Sequence, residues 1–165
     1  VLTDEGSRCL LAPARSNPAL TDAALLVTRV AVGFVLLAHG LQKAFEFTPA
    51  GTAGAFTQMG VPAAGAVAWF TMLAEIVGGS ALILGVLTPV FALINLVSMV
   101  GAIVLVHLPN GVFVTANGYE LVLSIAAALV AVAAFGAGRW SVDGLITRAS
   151  AQSAVAPERE RALVG

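Results

Sequence analysis

Four apolar runs, about Ala23 to Phe45, Ala63 to Leu87, Pro89 to Leu108 and Gly118 to Ala137, take up most of this chain and are almost free of charge. As a helix each crosses a bilayer, because the hydrocarbon core needs ~20 residues at ~1.5 Å rise. A water-soluble alternative fails on composition. Of 165 residues 59% are hydrophobic and 10% charged, too little polar material to cover a domain of this size. The fold class that follows is all-α, a four-transmembrane-helix bundle over residues 23–148. It lies between an N-terminal tail, residues 1–22, and a C-terminal tail, residues 149–165, whose composition predicts disorder. The first run is read as a retained span and not a signal peptide. Arg29 lies inside it, and Lys43 and Glu46 precede the small residues around Ala50 to Ala55.

The arginines set the orientation. Arg8 and Arg15 precede the first run and Arg139, Arg148, Arg159 and Arg161 follow the fourth, while the connections carry no Lys or Arg beyond Lys43. The positive-inside rule then places both termini in the cytoplasm. The segments 46–62 and 109–117 face outward, and the short turn at Leu87, Thr88 and Pro89 faces in. Thr88 is expected to cap the third helix, with Pro89 in its first turn, where a missing N–H costs nothing. Thr52, Ala55, Phe56 and Met59 recur at helical spacing and predict a short interfacial helix in the first outer loop. A net charge of −1, thinly spread, argues against a nucleic-acid partner and a polybasic anchor. Cys9 is the single cysteine, which leaves no CxxC pair and reads as a reduced thiol in a cytoplasmic tail. Seven arginines to one lysine, with abundant Ala, Val and Gly, point to a GC-rich bacterial source and hence to a bacterial plasma (inner) membrane.

A charge at the centre of such a run costs roughly 2.5–3.5 kcal/mol, so each one needs a partner, a cavity or a bound molecule. Glu75 is the one charge in the second run, near its middle, with Gly78 and Gly79 a turn further on. On the first run Arg29, His39 and Lys43 fall within about 80° of one another, with Gly33 and Gly40 near the same face. That face is expected to point into the bundle, where small residues let a neighbour pack close. Asn95, Ser98 and Ala102 make a milder stripe on the third run, and Glu120, Ser124, Ala127 and Ala131 one on the fourth. By depth, His39, Gln42, Lys43, His107 and Glu120 form an outer cluster with Glu75 beneath it. Each residue also has a plainer role. Arg29 pairs with Glu75, Lys43 snorkels to the interface, and the two histidines are neutral and hydrogen-bonded. Glu120 is then a carboxylate favoured by a helix N-terminus.

The segments RVAVGFVLLAHGLQK from Arg29, a loop ending GVP, AEIVGGSALILGVLTP, a His closing the third run, NGYE opening the fourth and GAGRWSVD after it together resemble the DoxX family, over about Arg29 to Asp143. The resemblance implies a small four-helix membrane protein, with Arg29, His39, Lys43, Glu75, His107 and Glu120 matching the family's polar pattern. Some relatives are membrane subunits in quinone-linked thiosulfate oxidation. Others are tied to redox-stress complexes with superoxide dismutase and sulfurtransferase partners. Where many relatives carry a basic residue after the second span, this chain has Pro89. It has no fused soluble domain, so a partner is expected to supply one.

Three functions of different class stay open. In the first, the protein is a membrane subunit of a redox or sulfur/oxidative-stress oxidoreductase system. It would hold a quinone near Arg29, His39, Lys43, Glu75 and His107. Glu75, His39, His107 and Glu120 are the candidate catalytic groups, because a quinone needs a proton donor at each carbonyl as it is reduced. Quinone is the cofactor the resemblance implies; no flavin, haem or iron–sulfur motif accompanies these residues, so an electron donor is still needed, and no metal is expected. In the second, the chain is a scaffold that anchors soluble redox enzymes and does no chemistry. In the third, it is a small solute or proton carrier relaying through Glu75 and Arg29, as a homo-oligomer. Haem held by His39 and His107 is the least favoured, by ligand count.

Overall fold

The computed structural model describes residues 17–150 and 152, and these contain helices and turns with no strand. The first helix, α1 (Pro18–Leu41), opens on Asn17, whose side chain accepts from the backbone N–H of Ala19 at 3.1 Å and Leu20 at 3.3 Å, with proline in the first turn. It runs on through a π-helical turn, Gln42–Glu46. The short helix predicted between the first two runs is present as α2 (Pro49–Gln58), capped by the Thr48 hydroxyl, which accepts from Gly51 N–H at 3.2 Å. Next come α3 (Ala64–Leu84) and α4 (Thr88–Ala102), and α4 continues through a second π-helical turn, Ile103–His107, and a 3₁₀ turn, Leu108–Asn110. After a loop come α5 (Glu120–Phe135) and a last helix, α6, over residues 142–150. Residues 1–16, 151 and 153–165 lie outside the described residues, and with them Cys9 and the expected disorder of the C-terminal tail.

Pro18–Glu46, Ala64–Leu84 and Thr88–Asn110 are long and apolar enough to cross a membrane. The fourth apolar helix, α5, has 16 residues and is shorter than its sequence run suggests. Positions 118 and 119 are taken up by the preceding loop, and Gly136 with φ 77° ends the helix.

Helix α3 is central, packing against α1, α2 and α4, while α5 lies on α4 and α1. Glycines set the α1–α3 distance. A Cβ on Gly33 would lie 2.7 Å from the Gly79 carbonyl oxygen, and one on Gly79 would lie 2.7 Å from the Gly33 oxygen. The two backbones therefore touch, as the shared glycine face predicts. Gly78, one position earlier, faces α4 instead, where the buried Asn95 amide fills the space a Cβ would take. Val32, Leu36, Leu82, Ala92, Met99, Ala126, Leu129 and Val132 form the dry core.

The stripe expected to face inward on α5 does not do so. Ser124 and Ala127 are exposed, and the packing face is Ala126, Leu129 and Val132. Ser124 needs no neighbour, because its hydroxyl donates to Glu120 O on its own helix at 2.8 Å.

A tight turn joins α3 to α4, as predicted, but its cap is a different residue. Leu87, at φ 45°, is the N-cap position and Thr88 is already helical, its buried hydroxyl without a partner. The Asp143 carboxylate takes the cap from 55 residues away, accepting from Leu87 N–H at 2.8 Å and Thr88 N–H at 2.9 Å. An anion at the positive end of α4 is favoured by the helix dipole as well as by the two bonds.

Candidate functional site

The polar residues of the bundle gather at its two ends. At the end where α1 starts and α3 finishes, Arg29, Asp22, Arg139 and Asp143 tie chain segments together. Arg29 is buried, and its guanidinium donates to the carbonyl oxygens of Leu82 at 2.9 Å, of Ile83 and of Trp140. Two of these belong to the last turn of α3, where carbonyls lack intrahelical partners and the dipole is negative. Gly85, at φ 72°, turns the chain here, and a Cβ on it would sit 3.1 Å from Arg29 Cζ and 2.5 Å from Ser141 Cβ. Asp22 on α1 accepts from Arg139 N–H at 2.9 Å and from its guanidinium Nε at 2.6 Å. Ser141 caps α6, accepting from Gly144 N–H at 3.0 Å, and Asp143 N–H donates to Gly85 O at 2.9 Å. Residues 138–144 thus form a clasp that binds α1, α3 and α4 at once.

At the opposite end Lys43, in the π-helical turn, donates to Glu75 Oε2 at 2.5 Å. Glu75 is 4% exposed, and its partner Lys43 is half-buried. Gly40 makes this pair reachable, since a Cβ there would lie 2.9 Å from Ile76 N and 3.0 Å from Glu75 Cβ and would hold α1 off α3. Buried Thr52 of α2 covers the turn, its hydroxyl donating to Lys43 O at 3.4 Å. Beside the pair, Ala38, His39, Gln42 and Glu46 line a shallow, open groove of about 370 Å³. The Gln42 side-chain amide donates to Glu46 Oε2 at 3.2 Å. His39 is exposed and makes no such bond. π-helical turns recur at functional sites, and α1 and α4 both end in one here, the first carrying Lys43 and the second His107.

The structure separates what the helical phase grouped. The expected Arg29–Glu75 pair is replaced by Lys43–Glu75, because Arg29 lies level with residues 82–85 of α3, about 10 Å along the helix from Glu75. Lys43 does not snorkel outward but turns in. His107 Nδ1 donates to Asn117 O at 2.8 Å, and the Glu120 carboxylate accepts from Val114 N–H at 2.7 Å, so both order the loop between α4 and α5. Among the described residues no group of three His, Cys, Asp or Glu could hold a metal ion. Sequence reasoning missed Asp22, Ser141 and Asp143 as structural partners. A signal existed for one of them, since a Ser after a glycine-rich turn marks a helix start.

The DoxX family model matches residues 24–108, just over half of the chain and all of α2, α3 and α4. The matched region contains Arg29, His39, Lys43, Glu75 and His107 and ends before Glu120 and the clasp. An uncharacterized membrane protein of Mycobacterium tuberculosis is 36% identical over 135 residues, which cover 75% of this chain and 82% of the relative. No solved structure matches the chain.

Proposed function

Because this chain belongs to the DoxX family of membrane proteins, we propose that it is a membrane subunit of an oxidoreductase system that holds a quinone headgroup in the groove beside Lys43 and Glu75. In this reading it is a four-span bundle in a bacterial plasma membrane with both termini in the cytoplasm. Arg139 and Arg148 then lie on the positive inside. Exposed aromatic residues at both ends, Phe45, Phe47, Trp69, Phe70 and Phe113 at one and Trp140 at the other, suit the two membrane interfaces.

One observation carries the proposal: a polar groove on the open face of an otherwise apolar helix, next to a buried ion pair. A groove open to the side admits a molecule that travels in lipid. His39 offers a hydrogen bond and a proton to one quinone carbonyl, and the Gln42 amide a hydrogen bond to the other. The Lys43–Glu75 pair holds the charge of the site fixed as protons move. Two electrons and two protons reduce a quinone to the quinol: a soluble redox partner supplies the electrons, His39 passes one proton to its carbonyl, and the second comes from water at the membrane surface relayed by the Glu46 carboxylate that lines the same groove.

The scaffold reading has its own support. Arg29, Asp22, Asp143, His107 and Glu120 all spend their hydrogen bonds within the chain. In that case the intramembrane charges serve packing, and soluble enzymes of the superoxide dismutase or sulfurtransferase kind dock on the ends.

The deciding experiment extracts quinone from wild-type protein and from Glu75→Gln, purified in mild detergent, per mole of protein. Quinone in the wild type and its loss from a folded Glu75→Gln supports the redox site. Absence from both supports the scaffold.

A further inference from the structure

The fourth span is short of a bilayer. Helix α5 rises about 24 Å over its 16 residues, against a hydrocarbon core of about 30 Å. The helix stops two residues short of its apolar run at each end, and at one of these ends the loop 108–119 has the properties of a segment made for a membrane interface. It contains no charged residue, and Leu108, Val112, Phe113 and Val114 are exposed, Phe113 at 68%. Exposed apolar side chains also flank it on both sides, Val104 and Leu105 before it and Leu121 and Leu123 after it. Its apolar surface is therefore continuous with the faces of α4 and α5 that a membrane protein presents to lipid.

The backbone of the loop is folded back on itself. Tyr119 N–H donates to Gly111 O at 3.1 Å, Glu120 N–H to Val112 O at 2.9 Å and Gly118 N–H to Phe113 O at 2.9 Å. Ala116 and Asn117 N–H donate to Phe113 O and Val114 O, and the Glu120 carboxylate takes Val114 N–H. His107 Nδ1 and the Asn110 amide both donate to Asn117 O. Buried Gly118 permits the closure, since a Cβ there would lie 2.4 Å from Gly111 O. The Val112 and Phe113 N–H groups make none of these bonds, so the loop suits the headgroup boundary, where water still reaches backbone while apolar side chains dip into the acyl region. His107 and Glu120 thereby acquire a definite task, which is to supply two of the three side-chain bonds that close the loop, the Asn110 amide giving the third.

We infer that residues 108–119 form an apolar wedge seated at the headgroup–acyl boundary of the leaflet at the α2 end, its exposed side chains anchoring the start of the short helix α5. The partner of this surface is the lipid itself. The inference rests on the four-span reading above and is independent of any quinone.

The test is depth measurement by spin label in vesicles of phosphatidylcholine and phosphatidylglycerol. Labels are placed on single cysteines in a Cys9→Ser background, at Phe113→Cys and Val112→Cys, with Val130→Cys on the exposed face of α5 and Gln152→Cys as references. The expected ratio of oxygen to nickel-chelate collisions at 112 and 113 is several-fold above that at 152 and below that at 130. A ratio at both loop positions equal to that at 152 places the loop in water and overturns the wedge. Low collision with both reagents means that protein covers the loop, a second copy or another chain, and overturns it as well. A water-like value at 130 itself overturns the four-span reading and the wedge together. If Phe113→Cys fails to fold, Val112→Cys, the smaller change, carries the same reading.

Discussion

The two ends of the bundle spend their polar residues differently. At the α6 end Arg29, Asp22, Arg139 and Asp143 each bind backbone or one another across elements far apart in sequence, and Ser141 caps α6 locally. At the α2 end one ion pair lies beside a groove whose His39 has no hydrogen-bond partner among the described residues. The first arrangement is what closing a bundle demands, because helix termini leave N–H and C=O groups that lipid cannot satisfy. The second exceeds that demand. A buried pair is a weak source of stability, since desolvation offsets much of its attraction, so its retention calls for another reason.

Substitutions put that contrast under strain, the clasp end first. Arg29→Met leaves three carbonyl oxygens without a donor, each worth ~1–3 kcal/mol when buried, and is expected to cost about 3 kcal/mol in all. Thermal unfolding in mild detergent measures it, and a melting temperature equal to wild type would remove Arg29 from the clasp. Asp143→Ala takes the carboxylate from Leu87 and Thr88 N–H and is expected to cost about 2 kcal/mol by the same measurement. Asp143→Asn should recover part of this, because one amide oxygen still accepts.

The other end should respond less. Lys43→Met strands Glu75 and is expected to lose about 2 kcal/mol, less than a fully buried unpaired charge because Glu75 can take up a proton. Adding Glu75→Gln to Lys43→Met should restore most of the melting temperature, whereas two additive losses would show that the pair is not coupled. His39→Ala, at an exposed position, should change stability by under about 0.5 kcal/mol while weakening quinone binding.

How much of this was legible in the sequence depends on whether a residue acts along its own helix or across the bundle. Helical phase located the buried face of α3 and, on α1, the inward positions of Arg29, Gly33 and Gly40, but it put His39 on that face too, and His39 is exposed because it lies at the edge of the stripe, turned away from α3. Phase carries no information on which helices are neighbours or at what height they meet. Arg29 therefore looked like a partner for Glu75, when the carbonyls at the end of α3 are nearer. The same limit hid Asp143, whose two bonds reach back across the α3–α4 turn. Thr88 looked like the cap because local sequence cannot announce a carboxylate that arrives 55 residues later. On α5 the stripe of Ser124 and Ala127 misled because a serine hydroxyl satisfied by its own helix faces lipid without cost.

The most direct test of the division between the ends pairs His39→Ala with Asp143→Ala and records, on the same preparations, bound quinone and melting temperature. The account predicts a crossed result. His39→Ala keeps the wild-type melting temperature and loses quinone affinity by about tenfold, the equivalent of one hydrogen bond of ~1.4 kcal/mol, while Asp143→Ala melts lower and keeps its quinone. Quinone binding that falls in both variants in proportion to their stability, or that is unchanged in His39→Ala, would contradict it.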